Sequence, residues 1–496
     1  MPFTRLTPDE AAALVKPDTL IGFSGFTPAG AAKLVPAAIA RRAEAMRASG
    51  ESLRLRVLTG ASTGPPIDEA MVASGAMAWR APYQSSRVLR QAINRGEVDF
   101  VDMHLSHVPQ ALIEGFFGEV DLAVVEACEL TDDGRIGLTT SVGLTPTLLQ
   151  VARRVIVEIN RRHPVRLSEL SDIVVLPPPP HRKPIAIHDP LERIGSRYVT
   201  VQPSRIVGVV EHAAPDGIAP FDPPGAASQA IAAHVVPFLL AEMRAGRVPV
   251  EGLPLQAGVG NVANAVMAGL GGAAEFPPFA MFTEVFQDSL VDLMLAGRLT
   301  GASTTALTLT DRQLDRVYAD LDFFAPRVVL RPQELSNNPG VIRRLGVISL
   351  NTALEVDIYG HVNSTHVSGT QLMNGVGGSG DFTRNSFLSL FMCPSIAKGG
   401  RISAIVPMAT HVDHNEHSVQ IVVTEHGLAD LRGLGPMARA AAIIERCAHP
   451  AYRPYLRDYV ARSPAGHIRH DLGRAFELHR NLAETGHMLP EVGALT

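Results

Sequence analysis

Short apolar, β-branched runs alternate along the chain with stretches rich in Ala, Leu and Arg. The runs include "LRLRVLTG", "DLAVVEA", "RRVIVEIN", "RIVGVVE", "RISAIVPM" and "SVQIVVTE". Most are continuously apolar rather than alternating, as strands covered on both faces are. The pattern predicts an α/β fold with mostly parallel sheets, in which ligands gather at the carboxyl ends of the strands. Near the start, Thr7, Pro8 and Glu10 read as the N-cap, first-turn proline and capping-box glutamate of a helix, not as a signal peptide.

Two stretches interrupt this grammar. "LPPPPHRKP" (176–184) suits neither helix nor central strand, and a strand pair, "RYVTVQP" and "RIVGVVE", follows it. "EHAAPDGIAPFDPPG" (211–225) reads as a linker. It predicts two domains, residues 1–215 and 216–496, the second carrying the stretch "PPFAMFTEVFQDSL". "FSGFTPAGAAKLVPAAIA" and "QAGVGNVANAVMAGL" share a strand, glycine loop, helix form, and "LTGAST" occurs at both 58–63 and 299–304. These likenesses suggest a duplication, against coincidence in a chain rich in Gly, Ala and Thr.

Composition narrows the class. The 496 residues exceed one ordinary core. With 46% hydrophobic and 19% charged residues, a net charge of −5 and no long run of either sign, a nucleic-acid or polybasic membrane surface is not expected. Partners should be small molecules or a second copy of the chain. Cys128, Cys393 and Cys447 are far apart and form no CxxC pair, which fits a reducing, cytoplasmic setting. No run of ~18 apolar residues is free of charge or proline, so no membrane span is expected.

The chemistry-bearing candidates are mostly at strand ends. Glu284 is either the last residue of a buried strand or the partner of Asp288 on the wet face of a helix. Glu126 and Glu425 also follow apolar runs. Gly258 and Gly260 in "GVGNVANAV" allow a tight turn that leaves the N–H groups of Val259 to Val262, Asn261 included, at a helix N-terminus, a nest for phosphate or an oxyanion. A plain strand–helix turn reads the same way. "GVGGSG" (375–380) matches GxGxxG, but no buried strand precedes it, so it reads as a loop that lets a ligand approach the backbone rather than a dinucleotide site. His411, Asp413, His414 and His417 cluster in "HVDHNEH", with a spacing that suits a hydrogen-bonded loop better than a metal site. Asn337 and Asn338 stand in a polar turn where an amide can donate to an oxyanion or simply make the turn.

The motifs "SGFTPAG", "LTGAST", "GVGNVANAV", "TEVFQDS", "SNNPGVIRRLG", "DIYGHVNSTHV", "MNGVGGSGDF", "IAKGGRISAIVPM", "HVDH" and "TEHGLADLRGL" follow one another in this order. Together they resemble the acetyl-CoA hydrolase/transferase family of class I coenzyme A transferases. The resemblance implies two tandem α/β domains of the ribose-5-phosphate-isomerase type, a homodimer, and ping-pong transfer of CoA between an acyl-CoA and a carboxylate. CoA would be a substrate, with no cofactor and no metal. It implies that Glu284 is the nucleophile, with Asn337, Val259 N–H and Gly378 N–H as oxyanion donors and Glu425 as an orienting group. CoA contacts would come from Gly258, Val259, Gly260, Asn261, Val262, Leu354, Asn374, Gly378 and Lys398. "FSGFTPAG", "WRAPYQ", "GFFGEVDLAVVEA", "RPQELSNNP" and "SPAGHIRHDL" are similar to members that exchange CoA between propionyl-CoA and succinate. Succinyl-CoA:acetate transferases share the catalytic motifs, some with Arg where this chain has Glu211, and hydrolysis is the further alternative.

Overall fold

A computed structural model describes residues 3–220 and 222–489. These divide into two compact units, each assembled from separate stretches. Among the described residues, unit 1 comprises 3–220, 280–345 and 374–381, and unit 2 comprises 222–279, 346–373 and 382–489. The first boundary lies within the 211–225 linker. The compact units nevertheless do not follow the expected division at 215/216, because residues 280–345 and 374–381 pack with the N-terminal stretch.

Unit 1 is built on a mostly parallel sheet. Leu20–Phe23 lies between Leu55–Leu58 and Val120–Leu130, parallel to both. Met77–Ala81 and Asp99–Phe100 extend one side, while Arg154–Asn160 and Ile206–His212 extend the other, all parallel to their neighbours. Arg135–Leu138 and the two-residue Val199–Thr200 add antiparallel pairs. Ile21, Phe23, Leu55, Val57, Val124 and Ile156 are buried with Val35, Ile39 and Ala43 of the helix Leu34–Ala48. The short helix Pro8–Ala13 has the expected capping box: Thr7 N–H donates to Glu10 at 2.8 Å, and Glu10 N–H donates to Thr7 Oγ1 at 3.2 Å.

The stretch 280–345 is knitted to the N-terminal stretch by backbone bonds. Leu307 N–H donates to Thr140 O at 2.7 Å, Val142 N–H to Thr305 O at 3.0 Å, and Asp172 N–H to Leu330 O at 2.8 Å. A buried ion pair completes the join: Arg331, fully enclosed, meets Asp172 and also donates from Nε to Ser303 Oγ at 2.8 Å.

Within unit 2, Leu255–Ala257, Ile348–Thr352, Leu388–Met392 and Ile421–Thr424 are parallel in that order, and Gly427–Asp430 closes the row antiparallel. The helix Ala226–Arg244 packs on Asn261–Gly272. Ala226–Arg244 has the length and hydropathy to cross a membrane. It instead buries Ile231, Val235 and Leu239, and its buried Glu242 takes two bonds each from Arg247 and Arg432. A buried carboxylate is normally paired, as Glu242 is.

Two stretches differ from their sequence patterns. "RISAIVPM" is not one strand but two two-residue strands, Ile402–Ser403 and Ile405–Val406, paired in different small sheets. The two copies of "LTGAST" adopt different structures. Residues 299–304 are a strand throughout, whereas only Leu58 of the first copy is in a strand and the rest is loop. The identity therefore carries no argument for duplication, because tertiary context decides the state of a six-residue segment.

Candidate active site

Phe279–Phe282 is a strand that ends one residue before Thr283, and Val285–Gln287 begins another that pairs with Ala306–Thr308. Glu284 occupies the break between them. Its carbonyl accepts from Thr305 N–H at 2.9 Å, Ala306 N–H at 3.2 Å and Thr304 Oγ1 at 2.8 Å, so the backbone is held on three donors. The helix begins only at Asp288, whose carboxylate caps Thr310 N–H at 2.9 Å and Thr310 Oγ1 at 2.8 Å. Of the two sequence readings, Glu284 is thus the residue at a strand end and not a member of a helical pair.

The Glu284 side chain meets Asn337, whose Nδ2 donates to Oε1 at 2.6 Å. Asn337 is the buried C-cap of the one-turn helix Gln333–Ser336. The next residue points elsewhere. Asn338 Oδ1 accepts from Gly340 N–H at 3.0 Å and Val341 N–H at 3.2 Å, at the start of helix Pro339–Leu345. Burial pushes the Glu284 carboxyl up to about 7, with the Asp381 charge adding to the rise and the Asn337 bond opposing it.

The glycine-rich loop 375–380 explains its own composition by close approach. A β-carbon at Gly378 would lie 1.9 Å from Glu284 Oε1 and 2.1 Å from Asn337 Nδ2. One at Gly375 would lie 2.7 Å from Asp102 Oδ1, and one at Gly380 2.2 Å from His104 Cε1. Gly377 adopts φ +57°. Asp102 anchors the loop, accepting Val376 N–H at 2.9 Å on each oxygen. Asn374, at the head of the loop, bonds the Tyr83 hydroxyl, and burial pushes that phenol up.

Asp381 follows the loop, buried, and accepts Ser106 N–H at 3.1 Å and Ser106 Oγ at 2.6 Å. It also receives a long 3.4 Å bond from Asn337 Nδ2. Burial raises its carboxyl to about 6. Glu284, Asn337, Asn374, Gly378 and Asp381 therefore converge within unit 1. Sequence reasoning did not single out Asp381, Ser106, Asp102 or Tyr83. Asp381 and Tyr83 sat inside motifs already quoted, "MNGVGGSGDF" and "WRAPYQ", whereas Ser106 carried no signal.

The remaining sequence candidates belong to unit 2. Gly258 to Val262 form the turn between Leu255–Ala257 and helix Asn261–Gly272, with Gly260 at φ +125° and Val259 exposed. Glu425 follows Ile421–Thr424, and its carboxylate accepts Ser395 N–H at 2.8 Å and Ser395 Oγ at 2.5 Å. Lys398 is exposed at a hairpin tip with φ +48°. Leu354 is 37% exposed. The His411–His417 loop is hydrogen-bonded: Asp413 accepts Ser364 N–H at 2.7 Å and Thr365 Oγ1 at 2.9 Å, while His414 is buried against Phe391.

Glu126 is not at a strand end. It is buried within Val120–Leu130 beside Lys33, His163 and Asp216. Burial opposes its ionisation, but the Lys33 ammonium and His163 outweigh it and hold the carboxyl below the usual range. Glu126, His163 and Asp216 have metal-ligand chemistry and lie close together. Lys33 Nζ bonds Glu126 and lies 2.9 Å from Asp216, so an ammonium already supplies the positive charge. Glu158 accepts the N–H groups of Lys33 and Val35 at 2.7 Å each, capping the helix that follows. Glu211 pairs at the surface with Arg161 at 2.9 Å and Arg5 at 3.5 Å.

This arrangement has counterparts. The fold is that of CoA-transferase structures: 4-hydroxybutyrate CoA-transferase from Porphyromonas gingivalis matches with a TM-score of 0.63 and 22% identity, over 92% of this chain and 97% of that one. The chain itself belongs to the acetyl-CoA hydrolase/transferase family, matching its N-terminal domain over residues 1–211 and its C-terminal domain over 314–460. It is 53% identical to the propanoyl-CoA:succinate CoA transferase of Escherichia coli (strain K12), over 98% of this chain and 99% of that protein. It is 44% identical to the succinyl-CoA:acetate CoA-transferase of Clostridium kluyveri, over 97% and 90% respectively.

Proposed function

We propose that the chain transfers CoA between a short acyl-CoA and a free carboxylate, through a thioester on Glu284. The observation that carries this reading is a strand-end carboxylate clasped between an amide donor and a glycine that leaves no room for a side chain. In the first step a Glu284 oxygen attacks the acyl-CoA carbonyl, the C–S bond breaks, and CoA leaves as thiolate with a mixed anhydride on Glu284. The thiolate then attacks the Glu284 carbonyl, the C–O bond breaks, and the first acid departs as its carboxylate. The second carboxylate reverses these steps and regenerates acyl-CoA and the free Glu284 carboxylate. Burial raises the basicity of the nucleophile, and each tetrahedral intermediate needs hydrogen-bond donors for its negative charge.

On this reading Asn337 Nδ2, Gly378 N–H and Val259 N–H are the oxyanion donors. Gly258, Gly260, Asn261, Val262, Leu354, Asn374 and Lys398 hold CoA, which is a substrate, and Glu425 orients. The substrates are propionyl- or acetyl-CoA with succinate, supported by the likeness to the propanoyl-CoA:succinate enzyme. A succinyl-CoA:acetate exchange is the second choice. The family description names hydrolysis as well, in which water replaces the second acid. The reading includes a homodimer and a cytoplasmic setting; the three cysteines, all free and buried, support a reducing environment.

The test is direct. The protein is incubated with acyl-CoA and treated with borohydride, and its peptides are mapped by mass. Reduction at Glu284 is the expected result, and Glu284→Ala should lose transfer while still binding CoA. An unmodified Glu284, or an active Glu284→Ala, overturns the assignment. Steady-state rates with succinate, acetate and water as acceptors separate the three activities.

A further inference from the structure

We propose that Asp381 is a positioning residue that keeps the NH2 end of the Asn337 amide facing Glu284, above all once Glu284 has been acylated. The inference rests on the reading of Glu284 as nucleophile.

The two ends of an asparagine amide have nearly the same shape, so packing alone does not choose between them. Hydrogen-bond partners choose. Asn337 Oδ1 accepts from Ser336 Oγ at 2.9 Å, but a hydroxyl can turn and accept instead, so Ser336 tolerates either orientation. Glu284 Oε1, 2.6 Å from Nδ2, selects the NH2 end while it is a carboxylate. That selection weakens during the reaction. Once an acyl group or CoA is attached, Glu284 no longer carries its negative charge.

Asp381 takes part in none of the bond changes, so its carboxyl group stays beside the amide in every intermediate. Its Oδ2 lies 3.4 Å from Asn337 Nδ2, and a flipped amide would turn Oδ1 against this carboxylate. Asp381 is itself fixed, 3% exposed, with both oxygens on the Ser106 N–H and O–H. The Asn337 NH2 therefore has two carboxylates on its side at rest and one in the intermediate. The step that depends most on Asp381 is the discharge of the Glu284 thioester. There an acceptor carboxylate attacks the Glu284 carbonyl, the C–S bond breaks, and the oxyanion formed on the way needs the Asn337 donor.

Rapid-quench measurements on the full chain separate the two halves of the reaction. Formation of the Glu284 thioester from acyl-CoA is followed first, then its discharge by added succinate. Asp381→Ala should slow discharge about 10²-fold, the usual loss for one misdirected oxyanion donor. Formation should fall less, and KM for acyl-CoA should change little. Asp381→Asn keeps an acceptor for Asn337 and Ser106 and should recover much of the discharge rate. Discharge at the wild-type rate in Asp381→Ala overturns the inference, as does Asp381→Asn no faster than Asp381→Ala. Should Asp381→Ala not fold, Ser106→Ala carries the test: slowed discharge supports the inference, and wild-type discharge overturns it. A wild-type protein that forms no adduct on Glu284 overturns the nucleophile assignment, and the inference with it.

Discussion

Gly378 approaches the Glu284 carboxylate so closely that a β-carbon there would stand 1.9 Å from Oε1. No rotamer of an added side chain relieves this, because the offending atom is the first one. Gly378→Ala must therefore displace either the loop or the carboxylate. Transfer should fall by at least about 10²-fold, as expected when reacting groups move by an ångström. Turnover and thermal melting are measured together; wild-type turnover in a folded variant would show that the close approach is dispensable.

The pH profile follows from Glu284. Its carboxyl sits at about 7 because burial disfavours the charge, and the nucleophile is the ionised form. Activity at low substrate should therefore rise with pH through about 7, the acid limb of the kcat/KM profile. Asn337 holds that value down by donating to the carboxylate, so Asn337→Ala should move the acid limb to higher pH as well as lowering its plateau. Stability runs the other way. The folded state binds the Glu284 proton more tightly than the unfolded chain. Its contribution is present below the ordinary carboxylate range and is lost as pH rises through about 7. Glu284→Gln should remove that loss, so its melting temperature should gain on the wild type between about pH 4.5 and 7, read by calorimetry across pH. A gap that does not widen with pH would contradict the buried-carboxylate assignment.

Arg331 and Asp172 form a fully buried pair. Removing Arg331 leaves the buried Asp172 charge with only the N–H groups of Ile194 and Gly195, and breaking such a buried pair costs about 3–5 kcal/mol. Arg331→Met should lose this much in urea unfolding, more than a comparable change at the exposed Arg95–Glu97 pair, which should cost under about 1 kcal/mol. Equal losses at the two pairs would refute the argument from burial.

The adjacent asparagines should separate cleanly. Asn338→Ala removes a helix cap and should cost about 1 kcal/mol of stability with turnover kept. Asn337→Ala should lose turnover through its contact with Glu284. Similar kinetic defects in both variants would mean that the turn acts as a whole rather than through one amide.

Much of this architecture was legible in the sequence, and the failures have physical causes. The continuous apolar runs at 120–130 and 154–160 announced parallel strands, because both faces of those strands are covered. "RISAIVPM" showed the same composition but became two short strands, since composition does not reveal which backbone partners exist. Glu284 and Glu126 looked alike as carboxylates after apolar runs. One lies in a break between strands and the other beside a buried lysine, a difference made by residues far away in the chain. The glycines of "GVGGSG" approach Glu284, Asp102 and His104, which no spacing rule discloses. Asp381 escaped notice because its partners, Ser106 and Asn337, are remote in sequence.

Unit 1 is drawn from residues 3–220, 280–345 and 374–381. During synthesis, the residues up to the linker emerge first. Asp172 must then wait for Arg331, 159 positions later, and the Ser106 hydroxyl waits for Asp381. The ribosome cannot release a finished first half, so the unit must close late, after most of the chain has been made. The same threading means that a cut at the proline-rich linker, which the sequence invites, would not yield a self-sufficient piece. The nine-stranded sheet can form from the first 212 residues, but the buried Asp172 carboxylate has no guanidinium partner until Arg331 has been made, so the unit's last buried contacts belong to the later part of the chain.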